Sequence, residues 1–235
     1  MTTVAIHQPN YLPWLAYFRK LISSDIFVFF DNVQIPGGKS FVSRVSINIS
    51  GKQHWLSVPI SSKGEGVLLK DSTISGHSWR SKHIRTLKLS YSYSKWSYII
   101  DDYLVPVYSK DYVNIADFNI SLIRAILNIL EVNSVKLIRA SEMEGVGAGA
   151  KSIYKILELL DADTYLTGNG KGTQKSIEIN KLDLINVNLK YVSLENLKYS
   201  TVRHKFIPGL SIIDALLNSG PTVTRDLLLN CDGRN

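Results

Sequence analysis

The first thirty residues alternate between short apolar runs and polar breaks. Residues 3–8 (TVAIHQ) predict a strand, and residues 15–22 place apolar side chains at the spacing of a short amphipathic helix. Residues 26–30 (IFVFF) form a continuous apolar run, which is typical of a buried central strand. A strand, a helix and a strand with short joints predict a βαβ unit whose two strands are parallel.

A polar break ends the first strand. The segment AIHQPNYLPW, residues 5–14, contains two prolines, and proline removes a donor from a strand ladder. We therefore expect a rigid loop after His7. Asp31 and Asn32 follow the second strand, so they should emerge beside this loop at the carboxyl edge of the sheet, where open parallel sheets bind ligands.

The rest of the chain predicts a second layer and more strands. Residues 41–60 alternate with period two around an SGK turn, which indicates an antiparallel hairpin on or beside the main sheet. Residues 79–131 are mainly helical, with an end near Pro106 and a later helix capped by Asn114 or Asp117. VKLIRAS, TYLTG and LINVNLKYVS predict strands, KSIYKILELLD predicts a helix, and the tail TRDLLLNCDGRN predicts a last short helix that frays.

The predicted fold class is therefore α/β: a mainly parallel sheet flanked by helices, with an antiparallel hairpin insertion and a helical segment. The chain has 235 residues, of which 45% are hydrophobic, and this suffices for one domain over residues 1–235 with its own core. No fixed-period repeat and no low-complexity linker divides it.

The net charge of +7 favours an anionic partner. Its 27 basic residues are spread along the chain rather than massed on one helix, which argues against nucleic acid and favours a phosphate-bearing metabolite. No apolar run is long enough to span a bilayer, and His7 comes too early for a signal peptide, so we expect a cytoplasmic protein without stable membrane insertion. Cys231 is the lone cysteine, which excludes an internal disulfide and a cysteine-based zinc site.

Two glycine-bearing loops are candidate anion sites. GVGAGAKS, residues 145–152, has the length of a P-loop, but Ala150 stands where that pattern requires glycine, so a glycine-rich connection to a helix is the simpler interpretation. GNGKGTQK, residues 168–175, follows a predicted strand, and its backbone N–H groups could form an anion nest beside a lysine. The candidate contacts there are Gly168, Asn169, Gly170 and Lys171.

His7 is the best candidate for a general acid or base, because imidazole titrates near neutrality. Asp31 could orient His7 or bind a ligand hydroxyl, although a turn residue is an equal alternative. Lys39 and Arg44 could clamp a diphosphate, or be ordinary surface charges.

The aromatic residues divide between core and ligand. Tyr17 and Phe18 favour core packing, Trp55 is expected to pack on the hairpin, and Tyr11 and Trp14 could stack on a base or sugar beside Gln8 and Asn10. Near the end of the chain, His204 and Asp214 could contact a substrate. Ser211 could cap the following helix, and helix-dipole complementarity would explain Asp214 equally well.

Four segments carry a resemblance to a known family: IHQPNYLPWLAYFRKLISSDIFVFFDNVQ, FVSRVSINISGKQHWLSVPI, DADTYLTGNGKG and FIPGLSIIDALLNSGP. They are similar to the WbqC-like family of bacterial proteins, from residue 4 to about 221. The residues that match the family are His7, Gln8, Pro9, Tyr11, Pro13, Trp14, Tyr17, Phe18, Asp31, Gln34, Arg44, Pro59, Gly168, Ser211 and Asp214. Ala16 departs from the family's usual glycine, a small change that should leave the loop intact.

The resemblance implies a cytoplasmic step on an activated sugar, in the biosynthesis of O-antigen or another surface polysaccharide such as that of lipopolysaccharide. With His7 as base, we expect a transferase that adds an acyl or aminoacyl group to a nucleotide-linked amino sugar, from a donor such as acyl-CoA. Two alternatives stay open: a nucleotidyltransferase-like enzyme, and a non-catalytic nucleotide-sugar-binding or scaffold protein of a polysaccharide assembly complex. The sequence indicates no metal ligands and leaves homo-oligomer formation open.

Overall fold

The computed structural model describes residues 1–35, 40–61, 66–168, 182, 185–193 and 197–230. The strands in these residues are β1 (Thr3–His7), β2 (Ile26–Phe29), β3 (Arg44–Ile49), β4 (Lys52–Ser57), β5 (Lys136–Arg139), β6 (Thr164–Thr167) and β7 (Asn188–Tyr191). The α-helices are α1 (Leu15–Ile22), α2 (Ser78–Ser90), α3 (Val105–Tyr108), α4 (Ile115–Ile129), α5 (Ser152–Leu159), α6 (Ile212–Ser219) and α7 (Pro221–Leu229). Single 3₁₀ turns lie at Leu69–Asp71 and Ala140–Glu142, and a π-helical turn at Ile100–Leu104.

Five strands form one parallel sheet in the order β5-β2-β1-β6-β7. The predicted βαβ unit is confirmed, because β1 and β2 pair in parallel with His7 opposite Phe29. The chain first builds the sheet outward from β1 through β2 to β5, and then continues on the other side of β1 with β6 and β7. Such a change of direction leaves a crevice at the carboxyl ends of the two strands that flank it, here β1 and β6.

The two faces of the sheet are covered by different helices. Alternate residues of a strand point to opposite faces, so Ala5 packs in one apolar cluster with α1, α4 and α6, while Val4 and Ile6 pack in another with α5. Both faces of the central strands are therefore buried, which explains their continuous apolar sequence.

The hairpin β3–β4 is a separate two-stranded antiparallel sheet. Ser50 and Gly51 join its strands with φ angles of 52° and 82°, the left-handed conformations that a two-residue hairpin turn requires. Ser46 of β3 accepts a hydrogen bond from the backbone N–H of Ser211, just before α6. The hairpin is thereby attached to the carboxyl-terminal helices.

The helical segment matches the predicted region but differs at Pro106. The helix does not end there: a π-helical turn precedes the proline, and Pro106 lies in the first turn of α3, where its missing N–H removes no α-helical hydrogen bond. Asn114 caps α4 by accepting from the backbone N–H of Asp117 at 2.8 Å, as predicted. Within the described part of the chain, no helix combines the length and apolar character needed to cross a bilayer.

Candidate functional site

His7 lies at the carboxyl end of β1, half-buried, and its partner is a lysine. The Nζ of Lys20 lies 2.5 Å from the imidazole Nδ1 and donates to the backbone oxygen of Ile6 at 3.0 Å. Lys20 belongs to α1, which packs on the sheet beneath β1, and only 3% of its surface is exposed. The packing of the βαβ unit therefore places the amine of Lys20 beside the imidazole of His7.

Burial shifts the protonation equilibria of both groups. The pKa of Lys20 falls to about 7, because a buried ammonium loses its hydration. The pKa of His7 falls well below its usual value, first through burial and then through the nearby charge of Lys20. Near neutral pH the imidazole is thus uncharged, and the amine beside it exchanges readily between its two forms.

Lys20 is a candidate site residue that sequence reasoning missed. A lysine beside Arg19 on a short amphipathic helix is normally solvated, so periodicity gave no signal. Lys20 lies beside His7 because α1 packs against β1, and the pattern of the sequence does not show this contact.

Aromatic rings continue from His7 toward the surface. The ring of Tyr17 lies 5.0 Å from the imidazole between centroids, and that of Trp14 lies 6.4 Å away. Phe41 then lies 4.9 Å from Trp14, and Trp55 lies 6.1 Å from Phe41. We call Trp14, Phe41 and Trp55 the aromatic row.

Two members of the aromatic row are unusually accessible. Phe41 is 46% exposed and Trp55 42% exposed, so Trp55 packs on the hairpin less completely than predicted. The guanidinium carbon of Arg44 lies 4.0 Å from the centre of the Trp55 ring. The buried Nε of Arg44 has no hydrogen-bond partner among the described residues. The row thus combines flat apolar faces with a cation.

Asp31 lies at the same edge but faces the other way. Its fully buried carboxylate accepts from Arg139 Nε at 2.8 Å and from the hydroxyl and backbone N–H of Ser141 at 2.8 and 2.9 Å. Because β2 separates β1 from β5, these partners belong to the β5 side. The hypothesis that Asp31 orients His7 is therefore corrected: Lys20 holds the imidazole, and Asp31 holds Arg139.

The loop after β1 contributes less surface than predicted. Tyr11 is fully buried, its hydroxyl hydrogen-bonded to Tyr108 and, at 2.8 Å, to His83 Nδ1. This burial is incompatible with the expected stacking on a ligand, because the ring packs in the core against Phe118. Asn10 is also buried, whereas Gln8 is half-buried.

Tyr17 and Phe18 belong to the core, as predicted. Gln34 lies farther off, exposed, in a β-bridge with Leu68.

Two of the carboxyl-terminal candidates, Ser211 and Asp214, are hydrogen-bonded within the protein. Ser211 caps α6 and donates from its hydroxyl to Leu12 at 2.8 Å. Asp214 is buried and accepts from the hydroxyls of Tyr91 and Tyr199, each at 2.6 Å; burial raises its pKa. Asp214 is thus occupied by two phenols, and its contact with a substrate stays a prediction. His204 is half-buried, with its ring against Gly51.

The described parts of the two glycine-bearing segments are Gly168 and residues 145–152. Gly168 directly follows β6, the strand that pairs with β1, while Lys39, Asn169, Gly170 and Lys171 fall outside the described residues. The loop at 145–152 is held against β2 by Asn32, which donates to Gly147 at 2.7 Å and accepts from the N–H of Gly149 at 3.1 Å. This loop therefore connects β5 to α5 under restraint.

Two comparisons with known proteins find a match along most of the chain. The model of the WbqC-like protein family matches residues 8–226. The chain is also similar to a protein of Mycobacterium tuberculosis (strain ATCC 25618 / H37Rv) named Uncharacterized protein Rv1507c: the two are 26% identical over 223 residues, 94% of this chain and 95% of the relative. No solved structure matches. Since the family match spans almost all of the sequence, including the loop after β1 and α6, the chain belongs to the WbqC-like protein family.

Proposed function

We propose that the protein is a cytoplasmic transferase that adds an acyl or aminoacyl group to a nucleotide-linked amino sugar, in the biosynthesis of a surface polysaccharide such as O-antigen. The observation that carries the proposal is the contact of His7 Nδ1 with Lys20 Nζ at 2.5 Å, at the sheet edge where parallel α/β folds bind ligands. A proton acceptor in such a crevice suits the deprotonation of a sugar amine during acyl transfer.

The pair can work as a base in one protonation state. When Lys20 is neutral, it can accept the Nδ1 proton of His7 while still donating to Ile6, and Nε2 then has a free lone pair. The sugar amine attacks the carbonyl carbon of an acyl thioester, the C–N bond forms, and the C–S bond breaks. Nε2 takes the amine proton, and the Nδ1 proton passes to Lys20. The thiolate that leaves is protonated as the pair returns to its starting state.

Lys20 acts through His7 and is therefore a positioning residue. When Lys20 is charged, it donates to Nδ1, the imidazole proton lies on Nε2, and His7 cannot accept a proton there. Because the pKa of Lys20 is about 7, we expect kcat to rise with pH through about 7. A kcat that falls over this range would contradict the base role.

The aromatic row supplies a surface for the nucleotide. Exposed faces of Phe41 and Trp55 can stack on a base, and Arg44 beside them can hold phosphate oxygens. Lys39 and the segment 168–172 would add cations and backbone donors, as the sequence predicts. The net charge of +7 favours the approach of such an anion.

The experiment is a product search by mass spectrometry with nucleotide amino sugars and acyl or aminoacyl donors. His7→Gln should lower kcat by roughly 100-fold or more while the Kd for the nucleotide sugar changes little. His54→Gln, an exposed histidine on β4, is the matched control. Unchanged turnover in His7→Gln overturns the role of His7. Binding of nucleotide sugars without any product indicates the non-catalytic alternative, and pyrophosphate release from a nucleoside triphosphate indicates nucleotidyl transfer.

A further inference from the structure

A cavity of about 520 Å³ lies beside the candidate site and contains none of the residues assigned to catalysis. It opens between the first turn of α1, at residues 14–16, and two segments of the carboxyl-terminal part, residues 197–199 and 206–210. Its volume lies within the range of small-molecule sites in proteins. The cavity is therefore large enough for part of a substrate.

The lining of the cavity is mostly apolar. Leu15, Leu197, Phe206, Ile207 and Leu210 provide aliphatic and aromatic surface. The hydroxyl of Tyr199, which also lines the cavity, already donates to Asp214 at 2.6 Å. A nucleobase would leave most of its hydrogen-bonding edge unpaired in such surroundings, whereas a hydrocarbon chain loses nothing there.

The rim of the cavity carries a cation. Lys198 lines the cavity and is exposed, so its ammonium can pair with an anion at the entrance. An apolar interior with one charged residue at the mouth suits a chain that ends in a negatively charged carrier.

The cavity shares one wall with the catalytic region. Trp14 lines the cavity, and its ring lies 6.4 Å from the imidazole of His7 between centroids. This wall is fixed by the backbone, since Trp14 forms a β-bridge with Ser211 and the N–H of Ile212 donates to Pro13 at 2.9 Å. A group that leaves the cavity past Trp14 reaches the proton acceptor.

We propose that this cavity binds the hydrocarbon chain of the acyl donor, with Lys198 pairing with the anionic carrier. The inference rests on the proposed transferase function and specifies its donor as a medium-chain acyl group rather than acetyl. The chain extends into the cavity, and its carbonyl carbon lies near Trp14, on the side of His7.

The test is calorimetric titration of the full chain with decanoyl-CoA, acetyl-CoA, free CoA and decanoate. Decanoyl-CoA should bind at least 10-fold more tightly than acetyl-CoA, because only its chain fills the cavity. Decanoate, which has the chain and a negative charge but no CoA, separates a free fatty acid from the thioester. Equal affinity for the two thioesters overturns the inference.

Variants of residues that line the cavity test where the acyl chain binds. Ala16→Leu adds volume from the first turn of α1 and should lower the affinity for decanoyl-CoA at least 10-fold, whereas Ser92→Leu adds a similar volume at an exposed position after α2 and should have no effect. Ile207→Trp fills the cavity from the opposite wall, so the test survives if one variant fails to fold by circular dichroism. Unchanged affinity in a folded cavity variant contradicts the assignment.

Two further measurements complete the test: the effect of removing the charge of Lys198 and the formation of product. Lys198→Gln should weaken decanoate binding but leave decanol binding unchanged, and equal effects on both would refute the pairing with an anion. Binding needs no turnover, so the two proposals fail separately. Binding of the acyl chain without product formation would overturn the proposed transferase function and support the cavity as a site for the acyl chain. Product formation from acetyl donors, with no preference for donors with longer acyl chains, would overturn only the inference about the cavity.

Discussion

At the scale of single residues, the unusual feature is a lysine inside the βαβ unit. A buried ammonium destabilises the fold unless it is paired, and Lys20 has only an imidazole and one carbonyl oxygen as described partners. Its replacement by an apolar side chain should therefore stabilise the protein. A buried residue that costs stability beside the end of β1 is typical of a functional site.

Lys20→Met tests this through the pH dependence of the free energy of unfolding. The folded pKa of Lys20 is about 7 and the unfolded one about 10.4, so between these values the unfolded state binds more protons and wild-type stability rises with pH. The methionine variant lacks this rise. We expect its stability advantage to shrink by about 2 kcal/mol between pH 7 and pH 9 in urea unfolding. A constant difference across this range would show that Lys20 keeps an ordinary pKa.

The exposed rings of the aromatic row make a second prediction. Trp55→Ala should weaken binding of a nucleoside diphosphate by about 5- to 150-fold, since stacking of a base on an aromatic ring contributes about 1–3 kcal/mol. Tyr98→Ala removes a ring of similar exposure, 45%, from the helical segment, and serves as the control. Calorimetry should show a loss of affinity for the Trp55 variant alone. Equal losses of affinity in the two variants would point to a general effect on folding.

At the scale of elements, local sequence determines most boundaries. The caps of α4 and α6 and the turn of the hairpin depend on side chains within three residues of the boundary, so pattern reasoning found them. The π-helical turn before Pro106 was missed, because it depends on how this segment packs against α2 and α4.

Asn114→Ala tests the contribution of one such cap. The side-chain oxygen of Asn114 accepts from the N–H of Asp117, and its amide donates to the Asp117 carboxylate at 2.8 Å. Loss of an N-cap costs about 1 kcal/mol of unfolding free energy. Asn133→Ala, at an exposed position shortly after α4, should cost much less. Similar shifts of the urea midpoint in both variants would show that the cap contributes little.

At the scale of the whole molecule, the sequence predicted the edge of the sheet but not its surroundings. His7 and Asp31 were expected at this edge because strand order and parallel pairing follow from the βαβ pattern. The contact of His7 with Lys20, the exposure of Phe41 and the cavity walls bring together residues from distant parts of the chain. Such contacts depend on packing between elements, which a single sequence does not encode by spacing.

Asp31 lies at the same edge of the sheet as His7, but its contacts connect elements of the fold. Its ion pair with Arg139 joins β2 to β5, and Arg139 also donates to Asp117 on α4 at 2.6 Å. Asp31→Asn leaves Arg139 without its buried counter-charge. Because Arg139 is partly solvated, we expect a loss of about 2–4 kcal/mol in unfolding free energy, below the full cost of breaking a buried pair.

Turnover by the folded Asp31→Asn variant separates the two roles. If Asp31 is architectural, kcat measured well below the unfolding transition should stay near that of wild type, while the urea midpoint falls. Asp101→Asn, which disrupts an exposed pair with Lys88, should change stability by only ~0.5 kcal/mol and is the matched control. A catalytic Asp31 would give the opposite result, a loss of turnover at nearly unchanged stability, and would return this carboxylate to the chemistry of His7.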